Sequence, residues 1–295
     1  MSTGDARILD SGYRRYTGPR LAPGHAVRSV IVTTLRHILG LRRPARSKIL
    51  PVLSIAMAYV PAIVFVGVAA LFNRFGEAAE EGVDQFIPDY HEYYGFIISA
   101  IVLFVAFVAP EALCPDRRSK VLSLYLASPL TRMTYLAAKA AAVAAVVAMV
   151  TLGPPLLLLL GLVTQSRGPD GVAGFLEVLA QVVAAGAVLA AVFTGVSIAI
   201  ASLTDRRALA AAATLLLVLG SEIAAGILEF QLNTSESVRL LSLTQAPFLL
   251  VTRIYGEQNI GIEIGVPALV AGNLAWVAGG AAVAIVRYRR LQVTR

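Results

Sequence analysis

The sequence holds one cysteine, three histidines and one tryptophan, and only 15% of its 295 residues are charged. The lone Cys114 excludes an intrachain disulfide and any multi-cysteine metal site. No H-E-x-x-H or Gly-x-Ser-Gly element occurs, so neither a zinc-peptidase helix nor a serine-hydrolase turn is present. No G-x-x-x-x-G-K-[ST] run occurs either, which leaves the chain without that means of cradling nucleotide phosphates. What is abundant is apolar. Hydrophobic residues make up 57% of the chain and the mean hydropathy is +0.75, whereas an average soluble domain is about a quarter charged.

That surplus is concentrated in runs long enough to cross a bilayer, for which roughly 20 apolar residues suffice. Five runs are free of charge, Ile49–Asn73, Tyr93–Pro110, Ala140–Ser166, Val178–Thr204 and Ile264–Val286, and a sixth, Ala208–Phe230, contains Glu222 and Glu229. The expected fold is therefore an all-α membrane protein of six spans.

Basic residues are unevenly shared between the connecting segments. Twenty-one of the 25 Lys and Arg fall before the first span, between spans two and three, between four and five, or after the last; only Arg74, Arg167, Arg239 and Arg253 fall on the other side. The positive-inside rule then places both termini in the cytoplasm. The net charge of +7 reports this topology and attraction to acidic lipid headgroups, not nucleic acid. The basic N-terminal region is too long, and too far from an apolar core, to be read as a signal peptide. On this topology His25 and His37 lie inside and His91 outside, so no His pair meets at one membrane site.

Within the N-terminal arm, Val27, Val30, Ile31, Leu35, Ile38 and Leu39 recur at helical spacing, with Arg28, Ser29, Thr33, Arg36 and His37 opposite. Such a basic amphipathic helix lies in the membrane interface, and Gly40 and Pro44 should end it. The arm's YRRYTGPR run, Tyr13–Arg20, reads either as a lipid anchor or as a contact for a cytoplasmic partner. Residues 1–48 thus form a basic arm with an interfacial helix, and residues 49–295 the membrane domain.

The stretch CPDRRSKVLSLYLASPLTR, Cys114 to Arg132, stands between spans two and three. Pro115 withholds a hydrogen bond from the carbonyl of Glu111, so the span should bend or stop there. Asp116 is expected to cap a new short helix, with Arg117, Arg118 and Lys120 facing water or headgroups and Val121, Leu122, Leu124, Tyr125 and Leu126 on its apolar side. Thr131 or Thr134 should cap the helix that follows Ser128-Pro129. The product is a short amphipathic helix at the cytoplasmic surface, either an interfacial anchor or a docking element.

With its neighbours, this stretch resembles the permease subunits of ABC-2 type ATP-driven transporters. The resemblance rests on Glu111 at the foot of span two, Asp116-Arg117, the leucines Leu122, Leu124 and Leu126, the turn Pro129-Leu130-Thr131-Arg132, and Tyr135, Leu136 and Lys139 at the start of span three. Lys120-Val121 replaces the usual Gly-Thr ahead of the leucines. The resemblance implies a bacterial exporter of the type V architecture in the inner membrane, with an N-terminal elbow helix and a coupling helix between spans two and three. It implies two permease chains, this one paired with a second copy or a paralogue, above two ATPase subunits that bind the ATP and Mg. Glu111, Asp116, Arg117, Arg118, Leu122 and Tyr125 would then serve ATPase coupling. The chain itself would carry no catalytic residue, metal or cofactor. An ATP-independent scaffold or secondary carrier is the alternative.

Further features bear on a pathway. Glu222, Gly226 and Glu229 share one face of span five, which reads either as the lining of a polar route or as a packed, protonated carboxyl. Asp205-Arg206-Arg207 repeats the Asp-Arg-Arg triplet, with Asp205 expected to cap span five and the loop open to a second coupling contact. Gly153-Pro154-Pro155 should kink span three, and Gln181 and Asn273 should hydrogen-bond between helices. Leu240–Thr252 is apolar but too short to cross, and short helices dipping into the outer leaflet are expected there. Glu77, Glu80, Glu81, Asp84, Asp89 and Glu92 make the first outer loop acidic, a solvated loop with poor spacing for a metal.

Overall fold

The computed structural model describes residues 23–41, 48–73, 86–119, 121, 125, 130–231, 235–257 and 264–290. Among these there is no strand. Six helical stretches are long and apolar enough to span a membrane: Ile49–Phe72, Tyr90–Arg118, Arg132–Thr164, Gly171–Leu203, Arg207–Gln231 and Val266–Arg290. Helix α1 spans Pro23–Ile38, α2 Ile49–Phe72 and α3 Tyr90–Phe107, followed by a 3-10 turn at Ala109–Ala112 and the short α4 at Cys114–Arg118. Then come α5 (Arg132–Thr164), α6 (Gly171–Leu203), α7 (Arg207–Gly226) with a π turn at Ile227–Gln231, a 3-10 turn at Glu236–Leu241, α8 (Gln245–Ile254) and α9 (Val266–Arg290).

Two helices start earlier than the charge-free runs predict. The 33 residues of α5 and of α6 make each about 50 Å long, well beyond some 30 Å of hydrocarbon. Lys139, which as a charge marked the loop before span three, lies inside α5 and is only 3% exposed. A neutralising partner makes that possible. At the start of α5, Thr131 and Thr134 exchange backbone-to-hydroxyl bonds of 3.1 and 2.8 Å, so that Thr131 is the cap and Thr134 completes a reciprocal pair, where one or the other was expected to cap. The helix continues through Gly153-Pro154-Pro155 without a break.

Helix α6 is the centre of the bundle. Its most apolar window is 67% buried, against 17% for α2 and α9, and it packs on both α5 and α9. The α6–α9 crossing brings backbones together: a Cβ on Gly280 would stand 2.5 Å from the Gly195 carbonyl oxygen. In membranes, where no hydrophobic force drives helices together, small residues allow this approach. Three tyrosines tie the spans further. Tyr93 donates to the Ala58 carbonyl of α2 at 2.7 Å, Tyr94 to Val182 of α6 at 3.1 Å, and Tyr59 of α2 to Met149 of α5 at 2.8 Å.

The amphipathic reading of α1 holds: Val30, Thr34 and Ile38 are buried while Arg28, Thr33, Arg36 and His37 are exposed. The buried face packs on α5 and on the turn below α3, so α1 is clamped to the bundle. Gly40, at φ +68°, ends it; Leu41 N–H donates to Arg36 O at 2.9 Å and Gly40 N–H to His37 O at 3.1 Å. At the far end of the bundle, the expected short helical structure in Leu240–Thr252 is the end of the 3-10 turn and most of α8. Asn273 of α9 donates to Ala246 O of α8 at 3.0 Å, the interhelical bond read from the sequence.

Candidate functional site

Two prolines shape the foot of span two. Helix α3 ends at Phe107, Pro110 is the second residue of the 3-10 turn, and Pro115 sits in the first turn of α4, where its missing N–H costs nothing. The chain is thereby turned so that Asp116 points into the bundle. Asp116 does not cap the helix. It lies inside α4, its side chain 10% exposed, and its Oδ2 is 2.6 Å from Lys139 Nζ and accepts from Tyr135 OH at 2.7 Å. Lys139 and Tyr135 are one turn apart on α5, so one face of that helix supplies both partners.

The aromatic surroundings reinforce the pair. Tyr125 lies with its ring centroid 5.3 Å from that of Tyr135, and Tyr288 of α9 stands 6.2 Å away on another side. Lys139 Nζ is 5.9 Å from the Tyr125 ring centroid and 5.5 Å from that of Tyr135, within the reach of cation–π attraction. Burial, with the Asp116 charge adding to it, raises the Tyr125 hydroxyl above its usual pKa.

Arg117 does not face water as expected. Its Nη1 donates to the carbonyls of Ser202 and, at 3.3 Å, Thr204, so a cation closes the C-terminal end of α6, where the helix leaves carbonyls unpaired. The buried Cys114 Sγ lies 3.6 Å from the same Thr204 oxygen. Glu111 forms an ion pair with Arg207 at the start of α7. Asp205 does not cap that helix either; Thr204 Oγ1 accepts from Arg206 N–H at 3.1 Å instead.

Arg118 remains exposed and faces Asp205, Arg206, Arg207 and Ala208 across a polar pocket of about 800 Å³. Arg118, the last residue of the first Asp-Arg-Arg triplet, therefore shares one surface with the whole of the second. Leu122, with Lys120, Leu124 and Leu126, lies outside the described residues, as do Glu77, Glu80, Glu81 and Asp84 of the first outer loop. Among the described residues no group of three or more His, Cys, Asp or Glu could hold a metal ion.

Glu222 and Glu229 do share a side of span five, but it is occupied. Glu222 accepts from Ser242 Oγ at 2.5 Å and from Gln245 Nε2 at 2.9 Å. Both Glu229 carboxylate oxygens accept from Arg239 Nε at 2.9 Å, and these bonds raise the Arg239 pKa. Together with Ser221, whose Oγ accepts from Leu243 N–H at 3.1 Å, the two acids fasten the returning segment to the end of span five. Only Gly226 borders open space, with nothing within 4 Å of where its Cβ would be.

Lys139 is the residue the sequence reading undervalued. It entered as a topological charge and a motif position, although a lysine in register with Tyr135 on an otherwise apolar helix face already signalled a buried acid nearby.

Six apolar spans, a braced charged segment at the foot of span two and an amphipathic helix packed on span three define a multi-pass membrane protein. The sequence profile of the ABC-2 family of transporter proteins matches residues 37–291, and the chain belongs to that family. It is thus a transmembrane permease of an ABC transporter, in a family that associates with an ABC ATPase. A search of curated proteins finds no match.

Proposed function

We propose that this chain forms the substrate pathway of an ATP-driven exporter, and that the segment following α4 is a coupling helix docked on a separate ATPase subunit. The observation that carries this reading is the brace. Asp116 reaches Lys139 and Tyr135, Arg117 reaches Ser202 and Thr204, and Glu111 reaches Arg207. A push on the residues after Arg118 is delivered to α5, α6 and α7 together, which is the mechanical property a coupling element needs.

Arg118 and Arg206, exposed on that same surface, suit carboxylates of a partner. On this reading the basic end of the bundle and both termini face the cytoplasm of a bacterial inner membrane. ATP and Mg are held by two ATPase subunits, and a second permease chain, identical or paralogous, completes the pathway. Span five borders that pathway through Gly226, while Glu222 and Glu229 hold its outer wall.

The test is affinity purification of the tagged chain from native membranes. Arg118→Glu with Leu122→Ala, which leave the brace untouched, should release the ATPase subunit while the permease stays folded. Undiminished ATPase recovery and stimulated turnover would reduce the segment to a lipid anchor. Transport by vesicles holding the chain without any ATPase would favour an ATP-independent carrier.

A further inference from the structure

A cavity of about 570 Å³ opens between α5, α6 and α9 at the basic end of the bundle, a volume typical of small-molecule sites. Its α5 wall is one helix face, from Met133 through Leu136 and Ala140 to Ala144, roughly 16 Å long. Ala137, Ala191 and Ala281 on its margin are exposed, so it opens sideways to where lipid would be. The helices cannot close on it. Gly195 and Gly280 already set α6 against α9, and Thr151 Oγ1 bonds the Gly186 carbonyl at 2.9 Å, holding α5 against α6. A dry gap here forfeits dispersion contacts along three helices, and its apolar walls offer water almost no partner.

One polar group does line it. Thr194 is 8% exposed and its Oγ1 has no hydrogen-bond partner, although a helical threonine ordinarily bonds the carbonyl one turn back. That donor calls for an acceptor on an occupant. The mouth is basic: Arg132 lies one turn before Leu136 on α5 and Arg289 one turn after Ile285 on α9. Arg132 Nη1 donates to the Arg289 carbonyl at 3.4 Å, which brings the two residues together at the mouth.

We propose that this cavity is a binding site for one anionic phospholipid. An acyl chain fills the apolar gap, an ester oxygen accepts from Thr194, and the phosphate rests on Arg132 and Arg289. Basic pockets between membrane helices collect such headgroups. The site is independent of the pathway and of any ATPase, so its test needs neither.

The experiment titrates the delipidated, detergent-solubilised chain with phosphatidylglycerol or phosphatidylcholine and counts retained lipid by native mass spectrometry. One phosphatidylglycerol per chain is expected, with roughly thirtyfold preference over phosphatidylcholine from two arginines near the surface. Arg132→Gln with Arg289→Gln should keep a bound lipid but erase the preference. Ala141→Leu with Ala281→Leu, which fills the gap and spares both arginines, should abolish retention of either lipid. Equal retention of the two lipids by the native chain overturns the proposal. So does unchanged phosphatidylglycerol retention by the filled cavity.

Discussion

Asp116 and Lys139 meet at 2.6 Å with their side chains 10% and 3% exposed, which joins the foot of span two to the start of span three. A buried ion pair stabilises little relative to a well-packed apolar pair, but removing one partner strands a charge. This asymmetry governs how the region should respond to mutation.

Asp116→Asn alone or Lys139→Met alone should each cost about 3–5 kcal/mol, because each leaves the other group charged and buried. The double variant should cost less than the sum by at least ~1 kcal/mol. Thermal unfolding of the purified permease in detergent reads all three. Additive losses would mean that the two side chains act separately.

Arg117 and Arg118 are neighbours with opposite fates. Arg117→Ala should lower the unfolding midpoint and speed amide exchange around Ser202–Thr204, since the end of α6 loses its cation. Arg118→Ala, at an exposed position, should leave both unchanged. Equal effects of the two would contradict the assignment.

Gly279 and Gly280 provide a second paired test. A Cβ at Gly280 would meet the Gly195 backbone, whereas one at Gly279 would meet nothing within 4 Å. Gly280→Ala should therefore destabilise by about 1–3 kcal/mol. Gly279→Ala should be neutral or stabilise by up to ~1 kcal/mol through helix propensity. Reversal of that order would place the α6–α9 crossing elsewhere.

For span five, Glu222→Gln retains groups that can bond Ser242 and Gln245, while Glu222→Leu strands both. The leucine variant should lose about 1–3 kcal/mol and raise amide exchange over residues 236–245; the glutamine variant should do neither. If Glu222 also lines the pathway, Glu222→Gln will change transport in vesicles. Identical transport would confine it to packing.

Topology is checked by reporter tags. Tags at the N-terminus, at Lys120 and at the C-terminus should report one side, and a tag at Asp84 the other. A split among the first three would dismantle the coupling proposal.

The bundle's span count and the amphipathic helix ahead of span one were legible because hydropathy and helical periodicity are local signals that six long apolar runs and Val27–Leu39 carry strongly. The Thr131 cap was legible for the same reason, its partner being three residues away. The fate of Asp116 was not. A capping rule weighs only the next turn, and the winning partners, Tyr135 and Lys139, lie on a different helix. Arg117 failed likewise, since nothing in the local sequence places the end of α6 beside it. Charge-free runs understated α5 because a lysine paired inside the fold no longer marks a boundary. Glu222 illustrates the limit on the candidate site: its position on span five was readable, but the segment that covers it returns from the far side of a turn.

The burial of Cys114, 0% exposed against the end of α6, has a practical side. A thiol with no exposed surface offers a probe no access and reacts slowly. The native chain is therefore already silent toward maleimide probes under folded conditions. Any cysteine introduced at an exposed position becomes the single labelled atom, so inter-span distances can be followed by spin or fluorescence labels through a transport cycle without first removing a native residue.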